Sequence, residues 1–155
     1  THGDVSPRGD YPGFVKVLDE NTLIIPDRKG NNRLDSMRNI IADPKVGLIF
    51  FIPGINETFR IRGEAEITTE KSLLEPLSIN KKIPISGILI HVREAYIHCA
   101  KAILRSKLWD EDSRQDRQRF APTSMFADHV NRDYDEYNAS YEDDMQLSMI
   151  EEGRE

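Results

Sequence analysis

The chain has 155 residues, 27 acidic against 21 basic, and a formal net charge of -6. That is enough chain for one domain with a real core, and the negative balance argues against a non-specific nucleic-acid binder, so any anion site has to be local. A single cysteine, Cys99, excludes an intramolecular disulfide framework and points to a reducing, cytoplasmic setting, while no apolar run approaches membrane-spanning length and no signal peptide is visible.

In chain order, Phe14 to Leu18 and Thr22 to Pro26 are predicted strands joined by a hairpin loop at Asp19-Glu20-Asn21. Asn32 to Ala42 is predicted as a helix. Leu34, Met37 and Ile41 recur at i, i+3 and i+7 with Ile40 beside them. Asn31 or Asn32 stands where a cap belongs, Asp35 lies in the first turn, and Pro44 ends the helix. Val46 to Ile52 is a continuous apolar run, as expected of a strand buried on both faces. A turn at Pro53-Gly54-Ile55-Asn56 leads into Thr58 to Ile67, whose alternation sends Phe59, Ile61, Ala65 and Ile67 inward and Arg60, Arg62, Glu64 and Glu66 outward. Glu70 to Leu77 reads as a short helix and Ile79 to Pro84 as a loop. Gly87 to Cys99 reads as a long strand with a phase change: Ile88, Ile90 and Val92 fall on even positions, Ala95, Ile97 and Cys99 on odd ones. A β-bulge near Arg93-Glu94 reconciles them. Ala100 to Trp109 is predicted as a helix. Beyond Asp110 the chain is charged and poor in aliphatics. Met125-Phe126 is expected to dock a short helix, and residues 126–155 form an acidic tail, partly helical or disordered, which leaves 1–125 as the folded domain. Strands outnumber helices, and most connections are too short for parallel crossovers. A mainly β fold follows, a small antiparallel barrel with peripheral helices.

Two polar loops carry the chemistry. One reads Ser6-Pro7-Arg8-Gly9-Asp10-Tyr11-Pro12-Gly13, the other Pro26-Asp27-Arg28-Lys29-Gly30-Asn31-Asn32-Arg33-Leu34-Asp35. A single apolar hairpin separates them, so they should be neighbours in space, and the second opens directly into a helix. Arginines, backbone amides and a helix N-terminus converging on one spot suit a phosphate. Plainer readings stand beside this one. Arg8 in a Pro-Arg-Gly-Asp turn also suits an exposed loop arginine, and Arg-Gly-Asp as an adhesion tripeptide recurs by chance. Asn31 and Asn32 cap helices with or without an anion at the same end. Asp27 and Asp35 are expected to orient Arg28 and Arg33. Lys101 and Arg105, at i, i+4, fit a solvated helix face, and Trp109 a core or interface aromatic. Arg114, Arg117 and Arg119 read as a solvated or self-paired basic cluster. Cys99 is expected to be buried and inert. His98 and Cys99, adjacent on a strand, point to opposite faces, so with His91 they form no metal site by spacing. Nucleophile–base pairs, glycine-rich nucleotide loops and zinc motifs are not found.

The motifs Asp-Val-Ser-Pro-Arg-Gly-Asp at 4–10, Pro-Gly-Phe-Val at 12–15 and Asp-Arg-Lys-Gly-Asn-Asn-Arg-Leu-Asp-Ser at 27–36 recur in order with Tyr-Ile-His-Cys-Ala-Lys-Ala at 96–102 and Arg-Ser-Lys-Leu-Trp at 105–109. Over roughly residues 3–125 the chain thereby resembles the FMN-binding split-barrel proteins related to pyridoxamine 5'-phosphate oxidase. The resemblance implies an antiparallel split β-barrel with FMN in a cleft at a homodimer interface. It also implies an FMN-dependent oxidoreductase acting on a small-molecule substrate or electron donor, with neither nucleic acid nor membrane as partner. Carried over by position, Arg8 and Arg33 hold the phosphate. Asn31, Asn32 and Ser36 donate hydrogen bonds to phosphate or ribityl oxygens. Ser6 and Pro7 lie along the isoalloxazine, and Lys101, Arg105, Lys107 and Trp109 face the flavin of the partner subunit. The first strand of such proteins precedes the Asp-Val-Ser-Pro-Arg segment, so a strand and a helix are expected upstream of Thr1. The C-terminal tryptophan and Arg-x-His-x-Arg substrate pattern of pyridoxamine phosphate oxidase itself is not visible, so vitamin B6 synthesis is not implied. A non-catalytic flavin carrier or sensor needs the same phosphate grip and is the alternative; a barrel that has lost its cofactor is a third reading. Deazaflavin or heme also fit such a fold, but the Asn-Asn-Arg helix entry suits a simple phosphate monoester best.

Overall fold

The computed structural model describes residues 3–30, 34–114 and 122–151, the side chain of Glu142 excepted. Five strands, β1 (Lys16–Asp19), β2 (Thr22–Asp27), β3 (Lys45–Phe50), β4 (Thr58–Thr68) and β5 (Ser86–His98), form one antiparallel sheet in the order β1-β2-β5-β4-β3. The helices are α1 (Asp35–Ala42), α2 (Lys71–Leu74, continued by a 3-10 turn over Glu75–Leu77), α3 (Lys101–Ser106), α4 (Pro122–Val130) and α5 (Tyr134–Glu151). This is the mainly β, split-barrel class with peripheral helices that the sequence predicts. The chain divides into two compact units, Thr1–Ser106 and Lys107–Glu155.

All five strands belong to the first unit. The β1–β2 hairpin turns on Asp19, whose carboxylate accepts the Asn21 N–H at 2.8 Å; that bond, with the Thr22 side chain behind it, holds the Asp19 carboxyl below its ordinary value. In β2 the residues Leu23, Ile24, Ile25 and Pro26 are all buried. Leu23 and Ile25 enter one apolar cluster with Ile40, Ile61, Ala65, Ile88 and Ile90. Ile24 enters a second cluster with Leu74 and Leu77 on the opposite face. The strand buried on both faces is therefore β2 and not β3. β3 is an edge strand that alternates between half-buried and exposed residues, with Ile49 46% exposed. An apolar run cannot by itself reveal that a strand has only one neighbour and one covered face.

The expected phase change in β5 is present. β4 and β5 pair from Thr58↔His98 to Thr68↔Gly87, and the register shifts between Arg62 and Gly63, where Arg62 faces Glu94 and Gly63 faces Val92. Arg93 is the extra residue of the bulge. Ile90 and Ala95 consequently lie opposite Ala65 and Ile61 on one face. Gly63 meets the bulge so closely that a Cβ there would lie 2.3 Å from the His91 carbonyl oxygen.

Helix α1 begins at Asp35 and packs on β4. Its buried residue is Ile40, with Met37 half-buried one turn earlier, whereas Ile41 is 77% exposed. The inward face thus follows Met37 and Ile40 rather than the predicted stripe through Ile41. On the other face of the sheet, α2 and its 3-10 turn place Leu74 and Leu77 over Ile24. Each such fully buried aliphatic side chain stabilises the unit by about 1.5–3 kcal/mol.

In the second unit, Thr123 donates to Asn138 Oδ1 at 2.8 Å between α4 and α5. Phe126 stacks on Tyr141 with ring centroids 5.9 Å apart, and the Arg132 guanidinium lies 5.5 Å from the Tyr137 ring centre. Met125 and Phe126 fall in α4. The acidic stretch that follows is an 18-residue helix without a continuous apolar stripe.

Candidate functional site

Side chains lace the N-terminal segment, which among the described residues has no helix or strand before β1, to the end of the sheet. Ser36, in the first turn of α1, donates its hydroxyl proton to Asp4 at 2.5 Å. Arg8 donates through Nη1 to Asp27 Oδ1 at 2.8 Å. Arg28 donates through Nε to Asp10 Oδ2 at 2.7 Å and through Nη2 to the Leu77 carbonyl at 2.7 Å. The Tyr11 amide closes on Asp10 Oδ1 at 2.6 Å, and Ser86 on β5 donates to Asp27 Oδ2 at 3.3 Å.

The two ion pairs differ in kind. The Asp10 side chain is 1% exposed and that of Arg28 19%, whereas Arg8 and Asp27 are 25% and 24% exposed. Breaking a buried pair by removing one partner costs about 3–5 kcal/mol because a charge is left uncompensated. The more exposed Arg8–Asp27 pair belongs nearer the weak, screened limit. The loops are therefore neighbours, as their spacing predicts, but the pairing differs from expectation. Asp27 holds Arg8, and it is Asp10 that holds Arg28. Adjacent residues leaving an extended strand project to opposite sides, so Asp27 and Arg28 are badly placed to meet each other. Asp4 and Asp10 are the partners that the sequence reading missed. For Asp10 the signal was the crossed order of charge, Arg8 then Asp10 against Asp27 then Arg28.

Of the other candidates, Ser6 and Pro7 are exposed between the Asp4 and Arg8 anchors. Asn31, Asn32 and Arg33 lie outside the described residues, so their expected part at the helix entry does too. Lys101 and Arg105 are exposed on α3, and their side chains make no hydrogen bond or ion pair among the described residues. Lys107, at φ 51°, and the half-buried Trp109 belong to the second unit. Arg114 is exposed there, and Arg117 and Arg119 lie outside the described residues. Cys99 is exposed, not buried as expected. It follows the last paired residue of β5, His98 opposite Thr58, so no neighbouring strand covers it. Among the described residues no cluster of His, Cys, Asp and Glu could hold a metal ion, and no helix is long and apolar enough to cross a membrane.

The donor chemistry fits a phosphate monoester. Arg8 commits one terminal nitrogen to Asp27, and its Nε and Nη2 donors bond no other described residue. Helix α1 takes no side-chain cap from Leu34 and carries Asp35 in its first turn. Ser36 stands in the same turn, although its proton is committed to Asp4. The Asp10 carboxylate is paired with Arg28.

Sheet order and peripheral helices define a split-barrel protein. The chain belongs to the pyridoxamine 5'-phosphate oxidase family, whose family model matches residues 1–99. Two crystal structures of HupZ from Group A Streptococcus are similar. One, of a point variant, is 20% identical with a TM-score of 0.44 over 55% of this chain and 73% of that one. The other is 22% identical with a TM-score of 0.44 over 54% and 68%. No curated protein matches the chain.

Proposed function

We propose that this chain is an FMN-dependent oxidoreductase that works as a cytoplasmic homodimer. The observation that carries the reading is the meeting of Arg8, Asp27, Asp10 and Arg28, which fixes two arginine loops together, with Asp4 of the same N-terminal segment on Ser36 in the first turn of α1. Arg8 would grip the phosphate through the donors that Asp27 leaves open, with Arg33, Asn31 and Asn32 completing the grip from the helix entry. Ser36 would join by exchanging Asp4 for a phosphate or ribityl oxygen. Ser6 and Pro7 would shape the wall along the ring. When bound, FMN would supply hydride or electron transfer; the protein contributes anchoring, water exclusion and positive charge. Lys101 and Arg105 are the positive charges proposed to face the flavin of the partner subunit. Lys107 and Trp109 carry the same proposal from the motif resemblance alone. The edge strand β3, with Ile49 46% exposed, is the side of the sheet proposed to meet the second copy.

The test is the visible absorption spectrum of the purified protein, with chromatography of whatever heat releases, followed by FMN titration of Arg8→Ala and Arg33→Ala. The expected result is a yellow protein releasing FMN, each variant weakened by about 1.5–3 kcal/mol, the scale of a charge-assisted hydrogen bond. A colourless protein that fails to take up added FMN refutes the reading. Flavin that binds tightly yet is reduced by no nicotinamide donor makes the protein a carrier or sensor instead.

A further inference from the structure

We infer that Asp10 is a positioning residue for the phosphate grip: its buried pair with Arg28 holds the loop that presents Arg8, without itself touching the ligand. The inference rests on the FMN reading above and deepens it. The segment ahead of β1 is in no strand, so its place is set by side chains. The Asp10 side chain is 1% exposed and uses both oxygens, one on Arg28 Nε and one on the Tyr11 amide. Arg28 reaches on to the Leu77 carbonyl, and Leu77 is itself 4% exposed in the cluster with Ile24 and Leu74. A continuous set of contacts thus runs from that cluster through Arg28 to Asp10, two residues from Arg8.

The order of charges gives the clip a register. Each loop contributes one cation and one anion, so a slip that exchanged partners would set Arg8 against Arg28 and Asp10 against Asp27, a like-charge penalty built into the arrangement. The two pairs also divide the work. The buried pair is the fixed point, and the more exposed Arg8–Asp27 pair keeps Arg8 within reach of an incoming anion while leaving it free to turn.

The experiment measures FMN and riboflavin affinity by quenching of flavin fluorescence in the full chain, with Asp10→Asn, Arg8→Ala and the double variant. Riboflavin lacks the phosphate and reports any general damage to the ring site. Asp10→Asn should weaken FMN roughly tenfold, because the loop is then competent only part of the time, and leave riboflavin affinity unchanged. The double variant should lose no more than Arg8→Ala alone, since Asp10 acts through Arg8. Arg28→Lys, which keeps the charge but loses the fork to Leu77, should repeat the pattern if Asp10→Asn does not fold. Equal losses of FMN and riboflavin, or additive losses in the double variant, overturn the positioning role. If the wild-type protein binds FMN no better than riboflavin, the phosphate grip itself fails and this inference falls with it. If the wild type prefers FMN and Asp10→Asn keeps the full preference, only the positioning role falls.

Discussion

Gly63→Ala tests the bulge that joins the two phases of β5. A Cβ at Gly63 would lie 2.3 Å from the His91 carbonyl oxygen, 3.1 Å from its carbonyl carbon and 3.4 Å from Val92 Cα. All three are backbone atoms, so no rotamer change relieves the contact, and the strands must part by roughly 1 Å or the bulge must rearrange. The control is Gly87→Ala, on β5 itself. There the nearest atoms are Leu74 Cδ2 at 3.1 Å and Ile24 Cδ1 at 3.2 Å, the ends of side chains. In both variants the smaller conformational freedom of the unfolded chain favours alanine by about 0.4–1 kcal/mol. Overpacking opposes it by about 1–3 kcal/mol, and the upper part of that range applies where backbone must move. Gly63→Ala should therefore destabilise by about 2 kcal/mol net and Gly87→Ala by under about 1 kcal/mol. Urea denaturation followed by far-UV circular dichroism reads both, and unchanged slopes show that the midpoint shifts are stability changes. A Gly63→Ala protein as stable as wild type refutes the close approach of β4 to the bulge.

Further expectations concern α1 and the first hairpin. Ile40→Ala should cost at least about 2 kcal/mol because Ile40 is 8% exposed within the main cluster, while Ile41→Ala, at a position 77% exposed, should stay within about 0.5 kcal/mol of wild type; denaturant midpoints that failed to separate the two would reverse the orientation of the helix. Asp19 has its carboxyl lowered from 3.8 in the folded state by the Asn21 amide, so its stabilising effect is present above that value and disappears as pH falls through the lower folded value. Thermal unfolding between pH 6 and pH 2 should then show wild type losing its advantage over Asp19→Asn only at the acid end; a gap independent of pH would assign the effect to something other than ionisation.

Much of the first unit was legible because its signals are local. The alternation in β4 and the parity switch in β5 are period-2 patterns, and only an added residue can reconcile Val92 with Ala95 on one face. The proximity of the two loops also followed from one short hairpin between them. What escaped depends on distant neighbours. Whether Val46 to Ile52 has strands on both sides is decided by where β5 inserts, between β2 and β4. Which carboxylate meets which arginine depends on the side to which Asp27 and Arg28 project. Ile40 and Ile41 differ by only one step around a two-turn helix, so small changes in its docking choose between them. Burial of Cys99 assumed that β5 remained paired to its end, and the pairing stops at His98.

The double burial of β2 makes the first unit cooperative. Leu23 and Ile25 serve one cluster and Ile24 the other, so neither can melt while the strand between them stays ordered. The strand ends at Asp27, the carboxylate that holds Arg8. A ligand gripped there opposes unfolding of both clusters together, by about 2.7 kcal/mol at a free concentration one hundred times its dissociation constant. Hydrogen exchange across β2 should slow at every buried amide on binding, and not just at the loops, because opening at this end is coupled to global unfolding.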